Sequence, residues 1–142
     1  ICSLSNVAHP SDLSYGKGFA MVKSEFKRVL AKLGTLRTKD GGKMGVVLVS
    51  HTRVVEEETR TGTNKTFAMN LANGPRIIVE GMSDLLLFAD VEPDGSRVLR
   101  TKPSAKWVAG DRTGRLPETL SLDYGKFVAT FRNPEKKEKK NG

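Results

Sequence analysis

The sequence predicts an α/β fold in which a mostly parallel sheet is flanked by helices and followed by a C-terminal β-hairpin. Two observations favour this fold class. Residues 45–49 form an unbroken apolar run that ends in Ser50 and His51, and an amphipathic helical pattern precedes it. A continuous run rich in valine is typical of a strand buried on both faces, and helices alternating with such strands are typical of parallel sheets.

The first helix is predicted over residues 19–33, where apolar side chains recur with helical spacing. The members of this stripe are Phe19, Val22, Phe26, Val29, Leu30 and Leu33. Gly34 is expected to end the helix. The segment before it, residues 2–18, is rich in turn-forming residues, so it is predicted to be a loop.

The polar segment 52–73 follows the buried strand and has no strong periodic pattern. Because it exceeds the ordinary length of a connection, it is predicted to be a mobile or functional loop. Asn73-Gly74-Pro75 then offers a cap and a first-turn proline for a second helix. The residues expected on its buried side are Ile77, Ile78, Gly81 and Met82.

The C-terminal part of the sequence predicts a hairpin and a closing helix. Residues 85–91 read as a second buried strand, Pro93-Asp94-Gly95 as a turn, and 97–101 as the returning strand. A short helix is expected over 121–131, with four apolar residues facing inward: Leu122, Phe127, Val128 and Phe131.

The length of 142 residues suits one domain, predicted to cover 1–131, with a disordered basic tail over 132–142. The formal net charge is +8, and residues 97–115 contribute six cations and one carboxylate. Since apolar residues interleave these cations, they are expected to hold fixed positions in a folded segment. Anions are the expected partners.

Several classes of site are excluded by composition. One cysteine and two histidines cannot build a Cys/His zinc site or a disulfide framework within one chain, so no metal site is predicted. No apolar stretch approaches the roughly 20 residues that cross a bilayer, and a soluble, cytoplasmic protein is expected. Gly62-Thr63-Asn64-Lys65-Thr66 lacks two glycines of a phosphate-binding P-loop.

Two polar pairs are candidates for chemistry. Ser50 and His51 are adjacent on the predicted strand and point to opposite faces, so they cannot act on each other as nucleophile and base. His51 is either a structural histidine or, like Ser50, a polar contact to a ligand such as a phosphate. Arg100 and Lys102 share a strand face, and they form either a basic strand edge or a finger pair that reaches a nucleotide phosphate.

The ordered series of motifs over about residues 2–131 resembles the C-terminal part of phage-encoded RecA-like P-loop ATPases, which are associated with recombination and single-strand annealing. The residues that carry this resemblance are Asp12, Tyr15-Gly16-Lys17-Gly18, Glu25-Phe26, Arg28-Val29-Leu30, Ser50-His51, Glu58-Thr59-Arg60-Thr61-Gly62, Asp84-Leu85, Ala89-Asp90, Arg100-Thr101-Lys102-Pro103-Ser104 and Gly110-Asp111-Arg112-Thr113-Gly114-Arg115-Leu116-Pro117-Glu118.

The resemblance implies a partial RecA-like core whose P-loop half lies before Ile1, and ATP with Mg²⁺ as cofactors of the intact protein. It implies that Ser50 and His51 sense the terminal phosphate and that Arg100 and Lys102 reach the nucleotide of a neighbouring subunit. The loops that would face single-stranded DNA carry Lys17, Arg53, Arg60 and Lys65.

The function that the resemblance implies is a DNA-stimulated ATPase of phage recombination in the cytoplasm of the bacterial host. It would work as a ring or filament of identical subunits, with an annealing or single-strand-binding protein as a further partner. This chain alone is expected to be inactive without the P-loop. The alternative is a non-enzymatic nucleic-acid-binding module with the same fold.

Overall fold

The computed structural model of the chain describes residues 9, 12, 16–60 and 62–134. The chain divides into two compact units, Ile1–His51 with Leu71–Gly81 and Thr52–Asn70 with Met82–Gly142. The helices and strands of the described residues are α1 (Lys17–Gly34), β1 (Thr52–Thr59), β2 (Gly62–Met69), α2 (Asn73–Met82), β3 (Leu85–Leu86), β4 (Phe88–Val91), β5 (Arg97–Arg100), β6 (Gly110–Asp111), β7 (Thr119–Ser121) and α3 (Tyr124–Arg132).

The first unit contains the two helices that the apolar spacing predicts. Helix α1 ends at Gly34 as expected and buries Leu30, and α2 buries Val79. The predicted buried side of α2 is wrong for Ile77, which is 60% exposed, and Gly81 and Met82 are exposed as well. Ile77 precedes Val79 by two positions, which places it on the opposite side of the helix.

The predicted strand over residues 45–51 is wrong. These residues have no regular secondary structure, and their apolar side chains are exposed, up to 93% at Val49. A strand exists only where a neighbouring strand accepts and donates its backbone hydrogen bonds. Within the described ranges no strand pairs with this segment.

The second unit holds three small antiparallel sheets in its described part, with strand orders β1-β2, β3-β6 and β4-β5-β7. The prediction of a mostly parallel sheet flanked by helices is therefore wrong. Consecutive strands such as β4 and β5 are joined by a short turn at Pro93-Asp94-Gly95, which permits only antiparallel pairing. Among the described residues, an isolated parallel bridge between Phe67 and Trp107 lies outside these sheets.

The predicted C-terminal hairpin is confirmed by the pairing of β4 with β5, in the register Phe88↔Arg100 and Asp90↔Val98. The predicted continuous strand 85–91 is interrupted at Leu87, because its two halves pair with different partners. Leu85 and Leu86 pair with β6, whereas residues 88–91 pair with β5.

The segment 52–73, expected to be a loop, instead contains a regular β-hairpin. Strands β1 and β2 pair over eight positions each, from Thr52↔Met69 to Thr59↔Gly62. The β-branched residues of this segment, among them Val54, Val55 and Thr66, favour such extended backbone. Because the other residues of this segment are mostly polar, its overall composition does not indicate a strand.

Helix α3 confirms the predicted closing helix, with its N-cap at Asp123, whose carboxylate accepts a hydrogen bond from the backbone N–H of Lys126 at 2.7 Å. Leu122 lies before this cap and is exposed rather than facing inward. The predicted disordered tail falls mostly on residues 135–142, and the predicted N-terminal loop mostly on residues before 16. Both predictions lie largely outside the described residues. No helix of the described part combines the length and the apolar character needed to cross a bilayer.

Thr101 is the fully buried polar residue of the second unit. Its hydroxyl donates to the carbonyl oxygen of Pro117 at 2.6 Å, and its backbone N–H donates to the carbonyl of Glu118 at 3.0 Å. These bonds continue the pairing of β5 with β7 beyond Arg100, and they anchor the chain beside the buried side chain of Leu116.

Replacing Thr101 by valine should destabilise the protein by about 1–3 kcal/mol, because the fully buried hydroxyl is lost and the Pro117 carbonyl loses its donor. Thr101→Ser keeps the hydroxyl and should therefore lower the free energy of unfolding less than Thr101→Val does. Thr63→Val, at an exposed strand position, is the matched control and should stay within about 0.5 kcal/mol of the parent. Denaturant unfolding measures all three, and equal stability of Thr101→Val and the parent would contradict the role of this bond.

Candidate functional site

The cations of residues 97–115 all lie in the second unit, and we call them the basic surface: Arg97, Arg100, Lys102, Lys106, Arg112 and Arg115. Four of them are exposed, whereas Arg100 and Lys102 are half-buried. Strand β5 is paired on both sides, by β4 and β7, so the first part of the basic surface rests on a folded framework.

Arg100 lies at the end of β5, where two carboxylates hold its guanidinium. Its Nη2 lies 3.2 Å from Asp90 Oδ2 and 2.8 Å from Glu92 Oε1. Partial burial acts to lower the pKa of Arg100, but the hydrogen bonds to Asp90 and Glu92 outweigh it, and the pKa is raised. Arg100 is therefore a permanent cation with its charge largely compensated inside the chain.

The same guanidinium lies over the ring of Trp107, 5.3 Å from its centroid. Trp107 stacks in turn on Phe88, with centroids 5.6 Å apart and planes at 6°, and Phe88 stacks on Phe67 at 6.0 Å. We call Phe67, Phe88 and Trp107 the aromatic cluster. Cation–π contact and offset stacking both favour this arrangement.

Backbone hydrogen bonds fix the edges of the aromatic cluster. The N–H of Phe67 donates to the carbonyl of Lys106 at 2.7 Å, and the N–H of Val108 donates to the carbonyl of Phe67 at 3.0 Å. The indole Nε1 of Trp107 donates to the carbonyl of Lys102 at 3.0 Å. The segment that carries Lys102 and Lys106 is thereby held against β2.

The last part of the basic surface is a loop organised by Asp111. Its Oδ1 accepts hydrogen bonds from the backbone N–H groups of Thr113 and Gly114 and from the Thr113 hydroxyl, while Oδ2 accepts from the N–H of Leu116. Gly114 adopts a φ of 66°, which favours glycine. The exposed guanidinium of Arg115 lies 5.2 Å from the ring centroid of Phe131.

Burial acts to raise the pKa of Asp111, but the hydrogen bonds from Thr113, Leu116 and Gly114 prevail, and the pKa is lowered. The ionised carboxylate is thus the form that the loop binds. The half-buried Asp111 carboxylate orders this loop through its hydrogen bonds. The two arginines of the same loop, Arg112 and Arg115, are exposed to solvent.

The predicted phosphate-sensing pair lies in the first unit. Ser50 and His51 are both exposed, and the Ser50 hydroxyl donates to the carbonyl oxygen of His51 at 2.8 Å. The strand that was expected to end at these residues is absent from the described structure, so their sensing role stays a prediction. The second predicted pair, Arg100 and Lys102, lies in the second unit, with the buried Thr101 between its members.

The residues predicted to face DNA are distributed over both units. Lys17 begins α1, and Arg60 follows β1 in an exposed turn. On the β1–β2 hairpin, Lys65 lies 2.9 Å from Glu56 on the exposed face, whereas Arg53 is half-buried on the other face. Within the hairpin, Arg53 and Lys65 therefore lie on different faces, and the contact of the four cations with DNA stays a prediction.

The described segment 62–66 does not fit a nucleotide phosphate cradle. Residues 62–66 begin β2 and lie in register with 55–59, so their backbone is extended and cannot wrap around a phosphate. The described residues also contain no cluster of three His, Cys, Asp or Glu side chains that could hold a metal ion. ATP and Mg²⁺, which the resemblance implies, are therefore not assigned a site on this chain.

Sequence reasoning missed Asp90, Glu92 and the aromatic cluster. The alternation of Phe88 and Asp90 along a strand places both on one face, which was a usable signal. The pairing of Phe67 with Trp107 joins segments about 40 residues apart, and no local pattern signals it.

Comparison with known proteins gives one finding. The family model described as an AAA domain matches residues 1–113, which is most of the chain. No curated protein and no solved structure matches the chain.

Replacing Asp111 by asparagine should destabilise the protein by about 2 kcal/mol near neutral pH, since the loop loses a charged acceptor. Because the folded-state pKa of Asp111 is lowered, its contribution is fully present above the ordinary aspartate pKa and is lost as the pH falls through the lowered value. The stability difference between parent and variant should therefore shrink in acid.

Denaturant unfolding at about pH 7 and about pH 3 measures this difference. Asp40→Asn, at an exposed aspartate in a turn of the first unit, is the matched control. A difference for Asp111→Asn that is independent of pH would show that the carboxylate charge does not organise the loop.

Proposed function

The chain belongs to the AAA domain family, whose members are nucleotide-binding P-loop ATPases, and from this premise we propose that it is the C-terminal portion of a DNA-stimulated ATPase of phage recombination. The intact enzyme couples ATP hydrolysis to the binding of single-stranded DNA in the cytoplasm of the bacterial host. This chain supplies the DNA-binding and subunit-contact part, and the phosphate cradle lies elsewhere in the intact protein.

The observation that carries the proposal is the basic surface. Its cations are held by a paired strand, by the backbone bonds around Phe67 and by the Asp111 loop, so they form a fixed array rather than a solvated tail. A fixed array of cations neutralises backbone phosphates and releases counterions, which supplies most of the sequence-independent affinity for nucleic acid.

The proposal gives a role to each of the two residue pairs that the resemblance predicts. Arg100 and Lys102 reach the nucleotide of a neighbouring subunit in a ring or filament, and Ser50 with His51 couples the nucleotide state to DNA binding. Release of Arg100 from Asp90 and Glu92 is then required for contact with a phosphate, because both carboxylates compensate its charge. Lys17, Arg53, Arg60 and Lys65 contribute further DNA contacts, and an annealing or single-strand-binding protein is a further partner.

The second candidate is a nucleic-acid-binding module without catalysis. It is favoured by the extended conformation of residues 62–66 and by the lack of a P-loop motif in these 142 residues. The two candidates share the basic surface and differ in turnover. ATP hydrolysis by the intact protein that rises when single-stranded DNA is added supports the enzyme, and DNA binding without turnover supports the module.

Affinity for single-stranded DNA should fall steeply with salt, because binding releases counterions. Lys106→Ala should weaken binding to all sequences alike and reduce the slope of log K against log salt by about one. Lys39→Ala, an exposed lysine outside the basic surface, is the matched control. Fluorescence anisotropy of a labelled oligonucleotide across a salt series measures both, and an unchanged slope in Lys106→Ala would exclude this residue from the interface.

His51→Ala should abolish the DNA-stimulated part of ATP turnover in the intact protein while largely sparing ATP affinity. The reason is that the proposed role of His51 is to sense the terminal phosphate, whereas the phosphate cradle elsewhere in the intact protein supplies the affinity for ATP. Lys43→Ala, at a nearby exposed position, is the control. Steady-state ATP hydrolysis with and without single-stranded DNA measures the effect, and full stimulation in His51→Ala would remove this residue from the coupling.

A further inference from the structure

Phe67 is the exposed end of the aromatic cluster. Its residue surface is 43% exposed, whereas Phe88 and Trp107 are half-buried behind it. The Phe67 ring stacks on Phe88 with centroids 6.0 Å apart and planes at 30°. One part of a flat aromatic surface is therefore packed against the protein, and another part faces solvent.

The position of this ring is fixed before any ligand arrives. Phe67 is paired with Val54 in the hairpin and bonded on its other edge to Lys106 and Val108, so its backbone is held from both sides. A ring that is already ordered loses little conformational entropy when a second flat group stacks on it. The geometry thus suits a rigid stacking platform better than a flexible apolar contact.

Cations lie beside the ring. Lys106 is the residue whose carbonyl accepts the Phe67 N–H, and its side chain is exposed. Lys65 precedes Phe67 by two positions and therefore shares its strand face, where Glu56 compensates part of its charge. A flat apolar surface next to cations matches the alternation of bases and phosphates along a single strand.

We propose that Phe67 is a base-stacking subsite, on which one unpaired nucleobase lies while Lys106 contacts the adjoining phosphate. The inference rests on the proposed DNA binding and names the subsite that distinguishes single strands from duplexes. In a duplex both faces of a base are already stacked, so Phe67 has a partner only in a single strand. Every base has a π-face, and the subsite is therefore tolerant of sequence.

The test compares two probes of equal length, an oligothymidylate and an abasic oligodeoxynucleotide that keeps the phosphates but lacks the bases. Phe67→Ala should bind the oligothymidylate about tenfold more weakly than the parent, in keeping with the loss of one base–aromatic stack, and should bind the abasic probe as the parent does. Lys106→Ala should weaken binding of both probes, because it removes a phosphate contact.

Three further variants separate stacking from folding. Phe67→Tyr should restore parental affinity, and Phe67→Leu should not, since it keeps an apolar side chain without a flat ring. Tyr124→Ala removes an exposed ring on α3 that lies outside the aromatic cluster and should leave both affinities unchanged. Emission of Trp107, the single tryptophan of the chain, checks that the indole stays packed against Phe88 in each variant.

Equal loss for both probes in Phe67→Ala, or no loss for either, would overturn the subsite while leaving the proposed DNA binding in place. If neither probe binds the parent protein at any salt concentration, the proposed DNA binding itself is wrong, and the subsite fails with it.

Discussion

The stack of Arg100 on Trp107 is the interaction on which the second unit depends. Arg100 is part of the three-stranded sheet, and Trp107 belongs to the segment that bridges to β2, so their contact joins two structures that share no strand. Asp90 and Glu92 bind the same guanidinium. Removing the cation would leave two neighbouring carboxylates that repel each other. Arg100 therefore stabilises the second unit in addition to any contact with a ligand.

The sequence predicted the elements whose signals are local. Helix α1 follows from its apolar stripe and its terminal glycine, and the β4–β5 hairpin follows from Pro93-Asp94-Gly95 between two apolar runs. Sheet type was not predictable in the same way, because it depends on which strands meet. Residues 45–49 have the composition of a central strand, yet composition cannot supply the neighbour that a strand requires.

Of the candidate site, the sequence predicted only the positions of the charged residues. The cations of residues 97–115 can be read directly from the sequence, and the apolar residues between them correctly indicated that this segment is folded. What could not be derived is how the surface is held: two carboxylates and an indole contact Arg100, and the Asp111 carboxylate accepts backbone hydrogen bonds in the loop that carries Arg112 and Arg115. The partners of Arg100 are only seven to ten residues away, but they meet across the turn between β4 and β5 and around the segment after β5, so sequence spacing alone does not show these contacts.

The exposed run Val46–Val49 has a practical consequence for anyone who handles this polypeptide. Four consecutive aliphatic residues with no backbone partner in the described structure are a ready template for intermolecular cross-β growth. The neighbouring Lys43 and His51 are polar residues that flank this run and weakly oppose such growth. Because salt screens the repulsion between molecules of net charge +8, low-salt storage buffers should keep the material monodisperse at concentrations where high-salt buffers precipitate it.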